Sequence, residues 1–491
     1  MENYSSLERD LSDMKAYFGT GKTKEASWRQ SQLKALHKFL LENEDQIFKA
    51  LNQDLGKPQV EAFRDEVGTL IKTLNFVTKS LKQWMAGKEA KLPRIAVLSS
   101  AEIVAEPLGL VLIFSSWNFP LGLSLEPLIG AVAAGNSVVL KPSEMSPACS
   151  SLLANVLPSY LDSNAIKIIQ GGPTLGELLL KQRWDKIFFT GSARVGRIVM
   201  SAAAEHLTPV SLELGGKCPA LLDSLATTWD REVAVQRILV AKYGACAGQA
   251  CITIDYILVE KAFISTLMPL LKDGIKKMFG ENPRESKSIA RIVNKQHFLR
   301  LKSLINSDPK VKESVVLGGS FDEDNLFIEP TILVDPPLES AIMTDEIFGP
   351  LLPIITVEKI EDSVKFINSR AKPLAIYAFT KNKSLQKRMV AETSSGSLVF
   401  NDAIVQYIAD TLPFGGVGES GFGKYHGKFS FDIFSHHKAV ARRSYYTDFW
   451  YRFPPWTLKK LQLLEVSYNL DYIGILLVLL GLRRSNRKFI N

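Results

Sequence analysis

From about residue 109 onward, apolar runs of strand length alternate with helical stretches at roughly thirty residues per repeat, and no other feature narrows the possible folds as much. Leu110–Phe114 precedes the stretch Leu123–Ala134; Ser137–Leu140 precedes Cys149–Leu161; Ile166–Ile169 precedes Leu175–Leu180; Lys186–Phe189 precedes Val195–His206; and Pro209–Leu214 closes the series. Such a pattern predicts an α/β fold in which a parallel sheet is wound by helices on both faces, with ligands bound at the carboxyl ends of the strands. A second alternating region runs from about 217 to 400, with apolar runs at Tyr256–Val259, Ile328–Leu333, Leu352–Val357, Leu374–Phe379 and Ser397–Phe400. Residues 5 to 85 carry helical spacing instead, as in Leu7, Leu11, Met14 and Phe18, or Leu33, Leu36, Phe39 and Leu40.

At about 150 residues per domain, 491 residues suggest three folding units. With 46% hydrophobic and 22% charged residues the chain is neither disordered nor fibrous. Four cysteines (Cys149, Cys218, Cys246, Cys251) are too few for a disulfide framework, and the first residues lack a secretory signal, so reduced thiols in an intracellular protein are expected. The net charge is +8, but residues 438–491 hold ten Lys/Arg against three Asp/Glu, leaving the remainder almost neutral. A basic body able to track nucleic acid is therefore absent, and no nucleic-acid partner is expected.

Ala16–Thr23 satisfies a loose phosphate-loop pattern. The mechanism of that loop needs a strand before it, whereas a helical pattern precedes this one, so a glycine helix cap followed by a solvated lysine accounts for it. Four other stretches are more informative. Leu110–Phe114 leads into Ser116-Trp117-Asn118-Phe119-Pro120; Lys186–Phe189 leads into Thr190-Gly191-Ser192, with Gly196 opening the next helix; Pro209–Leu214 leads into Gly215-Gly216-Lys217; and Gly248-Gln249-Ala250-Cys251 follows a helix. They place an amide, a helix start suited to phosphate, a carboxylate (Glu213) and a thiol at element ends. Taken singly, Asn118 reads as a turn before Pro120, Glu213 as a surface glutamate and Cys251 as a packed thiol.

Together with Lys141-Pro142-Ser143-Glu144, Glu346-Ile347-Phe348-Gly349-Pro350 and Pro413–Gly423, these stretches make residues 10–437 resemble the NAD(P)-dependent aldehyde dehydrogenases. The segment Tyr425–Ser430 and the tail resemble the class 3 branch, which handles medium and long-chain aldehydes, and its plant F-type members. The resemblance implies that fold, with a Rossmann-type NAD(P)-binding domain (1–80 and 101–212), a catalytic domain (213–400), a bridging and oligomerisation element (81–100 and 401–437) and a tail (438–491). It implies a homodimer, and an aldehyde oxidised to a carboxylic acid. Cys251 would add to the aldehyde and carry a thioester. A free thiol ionises near about pH 8.5, so Cys251 needs local activation. Asn118 would donate to the oxyanion together with the Cys251 N–H. Glu213 would be the base that activates water against the thioester. Gly191, Ser192 and Gly196 would set a strand-to-helix turn at the pyrophosphate. Lys141 and Glu144 would bind the adenosine ribose, and Glu346 and Phe348 the nicotinamide ribose and ring. A ribose-binding carboxylate favours NAD, with NADP tolerated. Cys246, five residues before Cys251, has no Cys/His partners at ligand spacing, and no metal is expected.

The tail's longest apolar run, Tyr472–Leu482, is too short for a spanning helix of about twenty residues. Trp450, Phe453 and Trp456 ahead of it and Arg483, Arg484, Arg487 and Lys488 behind it suit an interfacial anchor, which would put the protein on the cytoplasmic side of an endomembrane. A helix packed on a dimer partner or over the substrate funnel is the other reading. Rival functions are acyl transfer to coenzyme A, against which Glu213 argues, and a silent membrane scaffold, against which Cys251, Asn118 and Glu213 argue together.

Overall fold

Strands Leu110–Phe114 (β1), Ser137–Lys141 (β2), Ile166–Ile168 (β3), Lys186–Thr190 (β4) and Val210–Glu213 (β5) lie parallel in the order β3-β2-β1-β4-β5, with Gly421–Phe422 antiparallel on the outer edge of β5. The computed structural model describes residues 2–483 except 94, 95, 97, 98 and 447, with side chains from Ser6 onward. β1 is buried at all five positions because both faces of the sheet are covered, which is why it reads as an unbroken Leu/Val/Ile run. Leu110, Leu112 and Phe114 point to one face, where they pack with Val139, Ile187, Phe189 and Leu212 and with Leu7, Leu11 and Met14 of the helix Glu2–Gly19. A fully buried Leu contributes about 1.5–3 kcal/mol, so this face anchors the N-terminal helix firmly.

The chain order carries the functional consequence. From β1 it winds through helix Gly122–Ala134 (α1) to β2 and on to β3, then returns to place β4 on the opposite side of β1 and continues through helix Ala193–Ala204 (α2) to β5. Winding reverses between β1 and β4, and a crevice opens at the carboxyl ends of strands wherever such a reversal occurs. Asn118 and Ser192 follow those two strand ends directly.

A second sheet comprises Pro219–Leu222 (β6), Tyr256–Glu260 (β7), Val315–Leu317 (β8), Thr331–Val334 (β9), Leu351–Val357 (β10), Ala375–Phe379 (β11) and Ser397–Phe400 (β12), in the order β8-β9-β10-β7-β6-β11-β12. Only β8 runs antiparallel to its neighbour. The apolar run Ile328–Leu333 is not one strand. Pro330 lacks an N–H for a ladder, so Phe327–Ile328 pairs with Phe321–Asp322 in a separate hairpin while β9 starts at Thr331. The short β6 and β8 are strands that periodicity did not single out. Around Ala16–Thr23 the helix Glu2–Gly19 is followed by a single turn, Lys22–Lys24, with Lys22 paired to Glu25 at 2.9 Å. No strand precedes it, as the mechanism of a phosphate loop would need.

The chain divides into two compact units, Met1–Trp84 with Pro107–Ser435, and Met85–Glu106 with His436–Asn491. The first holds both sheets. In the second, strands Lys88–Glu89, Ser99–Pro107 and Ser435–Arg443 form a small sheet, with Arg442 on Glu102 at 2.6 Å. Its helices Leu458–Tyr468 and Tyr472–Leu479 pack around Leu463, Val466 and Val478. Trp450, Phe453, Trp456, Ile473, Leu476, Leu480 and Leu482 remain exposed. Among the described residues no helix is long and apolar enough to cross a membrane; Arg484, Arg487 and Lys488 lie outside them.

Candidate active site

The end of β1 and the turn before Cys251 are tied to each other. Asn118 is buried, and its side-chain Nδ2 donates to the main-chain carbonyl of Gln249 at 2.9 Å. An amide nitrogen carries two hydrogens, so one remains for an oxyanion. Gln249 is itself fixed on every side: its Nε2 donates to the carbonyls of Cys246 and Arg291, both at 2.9 Å, and its Oε1 accepts from Val293 N at 3.1 Å. Residues 246–248 turn with three successive positive φ angles, 49° at Cys246, 50° at Ala247 and 78° at Gly248. For Cys246 and Ala247 that conformation costs about 1–3 kcal/mol each unless surroundings impose it. The Glu61 carboxylate imposes it by accepting from Cys246 N at 2.7 Å. At Gly248 a side chain would run into the Gly349 carbonyl.

Cys251 is the least buried of four free cysteines; the other three are fully buried. Burial pushes its thiol up to about 12, the carboxylates of Glu346 and Glu213 add to this, and the N–H groups of Cys251 and Ile252 partly offset it. Without a further cation nearby the thiol stays protonated at neutral pH. Glu213 ends β5, opposite Thr190 of β4 and Gly421. It is buried, neither carboxylate oxygen has a hydrogen-bond partner among the described residues, and burial raises its pKa well above the usual carboxylate range. An unpartnered buried carboxyl is costly and signals a functional group or a water site. The Thr190 hydroxyl beside it in register is equally unpartnered.

Glu346 lies against the loop after Glu213. Its carboxylate accepts from Gly216 N at 3.1 Å, and a side chain on Gly215 would collide with it, so the glycine pair is what admits Glu346 here. Burial holds this carboxyl up at about 7, with Asp255 adding, against the Gly216 N–H, Lys217 and Arg300. Asp255 accepts from Ile347 N at 3.2 Å and from Lys217 Nζ at 2.5 Å, which fixes the segment carrying Glu346. Phe348, at φ 53°, meets the Trp117 ring edge-on with centroids 5.3 Å apart.

At the end of β2, Lys141 Nζ reaches Glu144 at 2.7 Å, and the Glu144 side chain stays partly open to hydroxyl donors. At the end of β4, Gly191 N donates to the Glu213 carbonyl at 3.0 Å, and Ser192 caps α2 by accepting from Val195 N at 3.4 Å. Gly196 has a packing role: a side chain there would sit 3.0 Å from Leu214, so the glycine lets α2 lie close to the end of β5. A helix start beside a winding reversal and a carboxylate for ribose hydroxyls form a donor set that fits a dinucleotide.

Glu126, Asp410 and His426 present ligand-type atoms within 4.8 Å of one another, but Lys72 already pairs with Asp410 at 2.7 Å and supplies the positive charge there. The sequence did not point to Lys57, Glu61 and Glu66. Their spacing in a helical region reads as a solvated face, and only tertiary burial distinguishes them.

The model of the aldehyde dehydrogenase family matches residues 3–440. Aldehyde dehydrogenase family 3 member F1 of Arabidopsis thaliana is 52% identical over 479 residues, covering 98% of this chain and 99% of that protein. Family 3 member H1 of the same plant is 49% identical over 472 residues, covering 96% and 97%. The substrate-bound structure of Staphylococcus aureus AldH superposes with a TM-score of 0.90 at 39% identity, covering 94% of this chain and 99% of that one.

Proposed function

The chain belongs to the aldehyde dehydrogenase family and is an NAD(P)-dependent enzyme; on that premise we propose that it oxidises medium and long-chain aliphatic aldehydes, including those from lipid breakdown, to carboxylic acids. The observation that carries the proposal is the Asn118–Gln249 hydrogen bond, which holds an amide donor beside the Cys251 turn. In this reading the Cys251 thiol releases its proton to solvent, its sulfur bonds to the aldehyde carbon, and the oxyanion accepts from Asn118 Nδ2 and Cys251 N. A bound nicotinamide would supply positive charge that favours the thiolate and an acceptor for the hydride leaving the former aldehyde carbon. Collapse of the oxyanion leaves a thioester on Cys251. Glu213 takes a proton from water, the resulting hydroxide attacks the thioester, and the C–S bond breaks to release the acid and restore the thiol. Neither Glu213 oxygen is committed to another partner among the described residues, so the carboxylate is free to take that proton.

An apolar substrate is supported by the aromatic group around the site. Tyr407, Phe414, Tyr425 and His426 pack with ring centroids 4.5–5.6 Å apart, and the phenols of Tyr407 and Tyr425 lie within electrostatic reach of Cys251. Lys141, Glu144, Ser192, Glu346 and Phe348 would hold the dinucleotide, and the open Glu144 carboxylate favours NAD over NADP. The cofactor and catalytic domains then correspond to the two sheets, and a homodimer is the expected assembly. The exposed aromatic and aliphatic side chains of the tail, with Arg452 and Lys459 among them, favour peripheral attachment to the cytoplasmic side of an endomembrane. A steady-state panel of aldehydes from short to long chain with NAD and with NADP tests this function. Rising kcat/KM with chain length and a preference for NAD support it; a preference for short or charged aldehydes contradicts the substrate class.

A further inference from the structure

The loop that carries Asn118 and the turn that precedes Cys251 are each gripped by a buried carboxylate, and one buried lysine serves both. Lys57 and Glu66 are fully buried and paired at 2.6 Å. The second oxygen of Glu66 accepts from Leu121 N at 2.8 Å and Gly122 N at 3.1 Å, the amides where α1 begins, three and four residues after Asn118. Lys57 Nζ also lies 3.9 Å from the centroid of the Phe119 ring, next in sequence to Asn118. Glu61, four residues beyond Lys57 in the short helix Gln59–Ala62, accepts from Cys246 N and so holds the left-handed turn that leads to Gln249. The Lys57 charge acts on Glu61 as well as on Glu66.

We propose that Glu61 and Glu66 are positioning residues for aldehyde oxidation: a buried bracket of backbone acceptors, with Lys57 as their counter-charge, that sets the spacing between the Asn118 amide and the Cys251 sulfur. The proposal rests on the reading of Asn118 as the oxyanion donor. Neither surface ion pairs nor packing alone would do this, because the bracket bonds to the backbone on both sides of the site. A misplacement of about 1 Å between reacting groups can cost a hundredfold in rate.

Two double variants test it: both lack Lys57 and so alter the surroundings of Glu61 alike, and neither leaves a charge at position 66. Lys57→Met with Glu66→Gln keeps an acceptor for the Leu121 and Gly122 amides; Lys57→Met with Glu66→Leu removes it at similar volume. The rate of NAD(P)H formation is followed in a single turnover, with enzyme in excess over aldehyde, in the presence and absence of Asn118→Ala. NAD(P)H binding and the thermal melt report on folding. The expected result is a Gln variant within about threefold of the parent and a Leu variant slower by about tenfold or more with unchanged cofactor affinity. That loss should vanish when Asn118 is already Ala. Equal rates in the two double variants, or a Leu-variant loss that multiplies in full on Asn118→Ala, overturn the proposal. A parental rate in Asn118→Ala alone overturns instead the oxyanion reading on which it rests. Should the Leu variant fail to fold, Glu61→Gln against Glu61→Met, read in the same way at the Cys246 amide, decides the matter.

Discussion

Asn118 and Gln249, 131 residues apart in sequence, are joined by a side-chain to main-chain hydrogen bond of 2.9 Å. The bond fixes one amide hydrogen of Asn118 and so aims the other, two residues before the thiol that would attack the substrate.

Asn118→Ala should lower the single-turnover rate of NAD(P)H formation by roughly a hundredfold or more, the cost of losing one oxyanion donor elsewhere. The cofactor dissociation constant should be unchanged. Stopped-flow absorbance with enzyme in excess measures the first and fluorescence titration the second; an unchanged rate removes Asn118 from the reaction.

The Cys251 thiol, pushed up to about 12, predicts slow alkylation of the cofactor-free protein by iodoacetamide at neutral pH. The rate should climb about tenfold per pH unit with no plateau below about pH 10, because only the thiolate reacts. Cys251→Ala should abolish both this reaction and aldehyde oxidation, while Cys246→Ala, altering a fully buried thiol, should retain oxidation. A plateau near pH 7 would mean a thiol activated before cofactor arrives.

How legible was this site beforehand? The thiol, the amide and the carboxylate stand at strand and helix ends, yet local sequence alone reads each as packing, a turn or a surface group, and only the family resemblance implies their roles; the thirty-residue repeat foretells a parallel sheet but not its order β3-β2-β1-β4-β5. The support behind them was not legible. Lys57 lies in the loop before the helix Gln59–Ala62 and Glu66 nine residues on, in a region whose spacing reads as helical and where charges are ordinarily solvated, and nothing local announces that both are fully buried. Phe348 and Ala247 take positive φ for tertiary reasons that residue type does not encode. Pro330 was visible, but its effect of splitting an apolar run into two sheets depends on which neighbours pair.

Glu213 predicts a pH dependence of stability. Its folded-state pKa is raised by burial above the unfolded value of about 4.3, so between those values the folded chain holds more protons than the unfolded one. Its contribution to stability is therefore neutral below that range and increasingly unfavourable as pH rises through it. Glu213→Gln cannot ionise and should gain stability relative to the parent as pH goes from about 4 to 7. Urea unfolding at several pH values checks this; parallel curves would contradict it.

Removing residues 449–491 leaves the strand Ser435–Arg443 and its partner Glu102 intact. The truncated protein should oxidise short soluble aldehydes normally but no longer sediment with anionic liposomes. Each basic residue near such a surface contributes about 1 kcal/mol, so attachment of the full chain should weaken with salt. Unchanged sedimentation together with altered long-chain kinetics would identify the tail as a cover for the substrate path.

The central claim, a thioester on Cys251 hydrolysed with the help of Glu213, is tested most directly by mass spectrometry of Glu213→Gln quenched after mixing with aldehyde and NAD. The account predicts one equivalent of NADH per site and an acyl adduct on the peptide containing Cys251, persisting for many times the parental turnover time. An absent burst with unmodified Cys251, or an adduct on Cys246 instead, would contradict it.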